Sequence, residues 1–94
     1  MSDSETRHIR IMGEVQGVGF RAWAKSEAER RGLSGWTRNR RDGSVEVMMS
    51  GDALAVAAMV GACRSGPRGA TVQSIEDLAP IEPPSGPFTI VNDL

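Results

Sequence analysis

The residues Gly13-Glu14-Val15-Gln16-Gly17-Val18-Gly19-Phe20-Arg21 hold the groups that could capture a small anion. Gly17 and Gly19 let the backbone curl around a ligand without a side-chain clash. Residues 8 to 12 before them alternate polar and apolar, as a half-buried strand does. Ala22 to Arg31 after them is rich in helix formers. The loop therefore opens a helix, whose first N–H groups lack intrahelical partners and whose dipole adds partial positive charge. Arg21 places a permanent, forked cation beside those amides. A cation at a helix start opposes the dipole by roughly a few tenths of a kcal/mol unless an anion offsets it. The free amides of this loop, together with Arg21, are thus suited to a tetrahedral or planar oxyanion. Two other readings of the glycines stand beside this one. Glycines are common in any tight strand-to-helix turn. Gly17-x-Gly19-x-x-Ala22 also fits the loose dinucleotide fingerprint, but the hairpin described below contradicts a dinucleotide fold.

The remaining candidates are weaker. Asn39, just before a turn, reads either as a turn residue or as a neutral amide that orients a water or a ligand oxygen. Arg38, Arg40 and Arg41 read as a solvated hairpin tip that could also concentrate anionic substrate. Alternation puts Arg38 and Arg40 on the face opposite Asn39, so they receive no catalytic role. Cys63 with Arg68 is one residue short of a cysteine-phosphatase loop, and Pro67 interrupts the spacing, so Cys63 reads as a buried apolar residue. His8 is expected to be solvated. Trp23 and Trp36 read as packing or surface groups. No cluster of His, Cys, Asp and Glu suggests a metal.

These groups need a frame. Residues 8–15 read as a strand, with Ile9, Ile11 and Val15 on one face. A helix follows from Phe20 to Arg31, with Phe20, Ala24 and Ala28 inward, and Gly32 stops it. Leu33–Arg40 and Ser44–Met49 read as strands joined by an Asp42-Gly43 hairpin, with Val45, Val47 and Met49 inward and Glu46 outward. Ser50-Gly51-Asp52 supplies capping residues for a second helix running to Arg64, with Val56, Met59, Val60 and Cys63 as its stripe. Gly66-Pro67 ends it. Ala70–Leu78 is a fourth strand in which Val72 and Ile75 are out of phase, so a bulge is expected. Pro80–Pro87 is irregular, and Phe88–Val91 is a short closing strand. The order βαββαβ predicts an α+β ferredoxin-like sandwich: one antiparallel sheet with two helices on one face, strand three between strands one and two.

The 94 residues allow one modest core. We expect a flexible tail over residues 1–6 and a single domain over 7–94. A net charge of −1 argues against a protein built to bind a nucleic-acid backbone. The outward residues His8, Arg10, Met12, Ser44, Glu46 and Met48 offer no aromatic platform for RNA. The lone Cys63 permits no internal disulfide, which fits a reducing cytoplasm. No apolar run approaches a membrane span, and Met1–Thr6 lacks a signal-peptide core. A monomer is expected.

The chain resembles the acylphosphatase family over nearly its whole length, from about Arg7 to Val91. The loop GEVQGVGFR is similar to the family's G-x-V-Q-G-V-x-F-R, and GLSGWTRNRRDGSVEV to its G-L-x-G-x-V-x-N-x-x-D-G-x-V-E-V. Thr37, where the family carries valine, and the proline-rich segment depart from that pattern. The resemblance implies hydrolysis of acyl phosphates to a carboxylate and inorganic phosphate, without metal or cofactor. It implies that Arg21 and the Gln16–Phe20 amides bind the phosphate, or another small anion, and that Asn39 holds the attacking water. The alternative is a non-catalytic module that binds phosphate or carbamoyl phosphate. A carbamoyl-phosphate module would want attached domains, whereas this sequence stops at Leu94.

Overall fold

A computed structural model describes residues 3–79, 82 and 85–93. The elements run β1 (Ser4–Glu14), α1 (Phe20–Arg30), β2 (Ser34–Asn39), β3 (Val45–Asp52), α2 (Ala53–Ser65), β4 (Thr71–Asp77) and β5 (Thr89–Ile90). β1 starts earlier than the expected tail allows. Ser4, Glu5 and Thr6 pair with Asp52, Gly51 and Ser50, because β3 itself extends past Met49 and offers further rungs. Ala53 then donates its backbone N–H to the Asp3 carbonyl at 2.8 Å.

The strands lie in the order β4-β1-β3-β2-β5. β1, β2, β3 and β4 pair antiparallel, as the ferredoxin-like arrangement requires. β5 corrects the expectation of a wholly antiparallel sheet: it runs parallel to β2, Trp36 opposite Thr89 and Thr37 opposite Ile90. Part of the proline-rich stretch lies outside the described residues; Glu82 and residues 85–87 belong to neither helix nor strand. The bulge expected in β4 is present. Met12 pairs with Ser74 and Gly13 with Val72, which leaves Gln73 as the extra residue.

Helix ends follow local chemistry. At the end of α1 the N–H of Leu33 reaches the Ala28 carbonyl at 2.9 Å, and that of Gly32 reaches Glu29 at 3.1 Å. This is a Schellman motif around Gly32. The Asp52 carboxylate caps α2 by accepting from the amides of Leu54 and Ala55, both at 3.2 Å.

Both helices cover one face of the sheet. Ile9, Ile11, Val45, Val47 and Met49 meet Phe20, Ala24 and Ala28 of α1 and Val56, Met59, Val60 and Cys63 of α2 in one buried cluster. Phe88 joins it just before β5. Thr37 sits in the same interior, and its hydroxyl donates to the Glu46 carbonyl at 2.9 Å. That bond lets a threonine occupy a position where an apolar residue would otherwise be expected. Burial raises the Cys63 thiol to about 12, so it stays protonated and inert at neutral pH.

The opposite face differs from the sequence reading. Glu46 points outward, as alternation demands, yet it is only 2% exposed. Arg38 Nε and Arg40 Nη1 each donate to its Oε1 at 3.0 Å, and His8 Nε2 meets its Oε2. His8 is therefore not the solvated residue expected; its Nδ1 also lies 3.0 Å from the Ala79 carbonyl. Arg38 stacks over Trp36, 4.9 Å from the ring centre. Of the three hairpin arginines, Arg41 is the exposed one. Alternation predicts which face a side chain takes, but not whether neighbours from other strands fold over it.

Candidate functional site

Strand direction decides where the site forms. β1 and β2 both run antiparallel to β3, so their C-terminal ends emerge on the same side. β5 is parallel to β2 and delivers the chain to that side as well. In register, Val45 lies between Ile11 on one side and Asn39 on the other. The loop after β1 and the last residue of β2 are therefore neighbours across β3.

Gly17 and Gly19 hold φ of 77° and 79°, the left-handed conformation that lets the chain reverse within the loop. A Cβ at either position would meet nothing within 4 Å, so backbone conformation rather than crowding calls for glycine there. The Gln16 side chain fixes the loop from below. Its Nε2 donates to the carbonyls of Arg40 at 2.7 Å and Ser44 at 2.8 Å, tying the loop to the β2–β3 hairpin.

Gly19 is the N-cap of α1 and offers no side-chain cap, and no acidic residue lies in the first turn. Among the described residues, the amides of Gln16 to Phe20 donate to no backbone or side-chain acceptor. The positive end of the helix dipole is left open to an incoming anion.

These groups line a hollow of about 270 Å³. Gln16, Gly17, Gly19, Phe20 and Arg21 line it from the loop and helix start, and Asn39 from the end of β2. Val18 is the one candidate that does not; its side chain packs against the core. Arg21 and Asn39 thus share one cavity although separate elements carry them. Arg38 and Arg40 stay on the far face with Glu46, as alternation indicated.

Two further residues reach the site from the chain's last stretch. Ile90 lines the hollow beside Asn39. Asp93 Oδ1 accepts from Arg21 Nη1 at 3.1 Å and from the backbone N–H of Asn39, also at 3.1 Å. One carboxylate oxygen therefore links both candidate catalytic residues. No local pattern marks either residue, because their positions depend on β5 pairing with a strand about fifty residues earlier. Arg21 carries five N–H donors, so one bond to Asp93 leaves others free for a ligand. Among the described residues no three His, Cys, Asp or Glu side chains gather in a way that could hold a metal.

Known proteins resemble this chain over most of its length. The acylphosphatase family profile matches residues 7–90. The chain is 55% identical over 83 residues to an acylphosphatase of Azorhizobium caulinodans, which covers 88% of this chain and 89% of that relative. It superposes on the crystal structure of acylphosphatase from Bacillus subtilis with a TM-score of 0.81 at 36% identity, covering 92% of this chain and 97% of that one. It also superposes on full-length HypF in its phosphate- and nucleotide-bound form with a TM-score of 0.83 at 25% identity, covering 99% of this chain but 12% of the larger one. With the loop motif, the strand order and the profile match in agreement over most of its length, the chain belongs to the acylphosphatase family.

Proposed function

We propose that this protein hydrolyses acyl phosphates, the mixed anhydrides of a carboxylic acid and phosphate. One observation carries the reading: Arg21 and Asn39 face a single hollow over a run of uncapped amides. In this reading the phosphoryl oxygens rest on the amides of Gln16 to Phe20 and on the Arg21 guanidinium. Asn39 holds a water in line with the phosphorus–oxygen bond to be broken. The water oxygen attacks phosphorus and the bond to the acyl oxygen breaks. Its electrons leave with the carboxylate, and the water's proton passes to a phosphate oxygen or to solvent. The products are a carboxylate and inorganic phosphate.

The chemistry asks for few groups. A carboxylate is a stable leaving group at neutral pH and needs no general acid. Charge in the transition state spreads over the phosphoryl oxygens. Preorganised donors stabilise it, each typically worth about 3 kcal/mol. A loose transition state demands little of the nucleophile, so a neutral amide that positions water is sufficient. We further read the chain from β1 onward as one domain acting as a monomer in the cytoplasm, on the support of one shared core and a lone cysteine.

The test is phosphate release from acetyl phosphate, with and without a chelator. Arg21→Ala is expected to abolish phosphate binding and turnover. Asn39→Ala is expected to lower kcat about a hundredfold, the scale set by losing reactant placement, while phosphate affinity stays within a few-fold. Full kcat in Asn39→Ala would refute the water-holding role. Phosphate binding without any release would support a binding module instead.

A further inference from the structure

Ile90 is 43% exposed, one of two large apolar residues left open to solvent among the described residues. The other, Leu54, is on α2 and does not line the hollow, whereas Ile90 does. Its position is held on both sides. Phe88, two residues earlier, is buried in the core, and the N–H of Val91 donates to the Thr37 carbonyl at 3.0 Å. Parallel pairing sets Ile90 beside Thr37, two residues before Asn39. Ile90 is thus a fixed apolar surface next to the groups assigned to the reaction.

The rest of the lining sorts by what it can offer. The amides and Arg21 suit the phosphoryl group, and Asn39 suits water. Val15 and Phe20 also line the hollow, but both are almost wholly buried and present little surface to a ligand. The acyl half of the substrate must still lie somewhere within the remaining space. Ala22 is exposed there too but offers only a methyl group, so Ile90 is the large apolar group that can be covered by it, and covering exposed apolar surface is favourable at about 25 cal/mol per Å².

We propose that Ile90 sets the acyl specificity of the site, favouring acyl phosphates whose acyl group is an apolar chain longer than acetyl. This rests on the acyl-phosphate reading above. In that arrangement the chain lies against Ile90 while the phosphate stays in the amide loop. The gain is made with the part of the substrate that does not react.

The experiment compares kcat/KM for hexanoyl phosphate and acetyl phosphate in the wild-type chain and in Ile90→Ser and Ile90→Leu. The wild type is expected to favour hexanoyl phosphate. The hexanoyl-to-acetyl ratio should fall about tenfold in Ile90→Ser, the size of effect typical of apolar pocket contacts, and stay within about threefold in Ile90→Leu. If Ile90→Ser does not fold, Ile90→Thr keeps the β-branched shape that suits a strand and carries the same comparison. A ratio in the polar variant within about twofold of wild type overturns the inference, even if both rates fall together. A wild-type chain that prefers acetyl phosphate overturns it too. A wild-type chain that releases phosphate from neither substrate refutes the acyl-phosphate reading itself, so the two failures are distinguishable.

Discussion

At the scale of single residues, the site is a set of neutral donors and one cation, with Asp93 holding two of them in relation. Under the proposed function, Arg21 is a long side chain that would otherwise lose freedom only when substrate binds. The bond from its Nη1 to Asp93 fixes it beforehand. Ordering such a side chain costs about 0.5–1.5 kcal/mol. Asp93→Ala should therefore raise KM for acetyl phosphate roughly fivefold, the middle of that range, with kcat changed less. Asp93→Asn, which keeps an acceptor for the Asn39 N–H, should recover part of the loss. Because Asp93 is half exposed, urea unfolding of Asp93→Ala should show little change, as is usual for an exposed ion pair. A large drop in kcat with KM unaltered would argue against a positioning role.

At the scale of elements, strand approach is governed by a few positions. Gly35 in β2 has φ of 144°, and a Cβ there would lie 1.9 Å from the Met48 carbonyl oxygen. Any side chain would force β2 and β3 apart in the centre of the sheet. Strain at such a φ costs of order 1–3 kcal/mol before the clash is counted. Gly35→Ala should lose at least about 2 kcal/mol, read from the urea midpoint. Gly17→Ala meets open space and carries only the conformational cost, about 1–2 kcal/mol. If Gly35→Ala were no worse than Gly17→Ala, the close strand approach would be misjudged. The Gly17 and Gly19 turn was legible in the sequence because its cause is local. The steric demand at Gly35 was not, since the atom it would strike belongs to another strand.

At the scale of the whole molecule, the sheet carries the hollow at one end and a paired charge cluster on its open face. Burial disfavours the charged form of Glu46, but hydrogen bonds and charge from Arg38 and His8 outweigh it and hold its pKa below the ordinary 4.5. The folded state thus binds this proton less readily than the unfolded chain. Its contribution to stability is present above pH 4.5 and is lost as pH falls through the lower folded value. Glu46→Gln should remove part of the acid-side slope of stability, followed by urea midpoints between about pH 6 and pH 3. Near neutrality it should also lower stability by about 2–3 kcal/mol. That is less than the 3–5 typical of a fully buried pair, because Arg38 and Arg40 keep part of their side chains in water. An unchanged slope would show that the carboxylate does not titrate in this way.

The sequence by itself determined what depends on near neighbours in the chain. Glycine spacing shaped the loop, Arg21 stood at a helix start, the Asp42-Gly43 turn joined β2 to β3, and alternation put Asn39 opposite Arg38 and Arg40. Two-residue and three-to-four-residue periods are enough for such statements. Only the tertiary structure decided the parallel β5, the place of Ile90 in the hollow, the Asp93 bridge and the burial of Glu46. Each of these depends on which strand lies beside which. That choice is made by packing over the whole sheet, between residues separated by dozens of positions, and no local pattern encodes it.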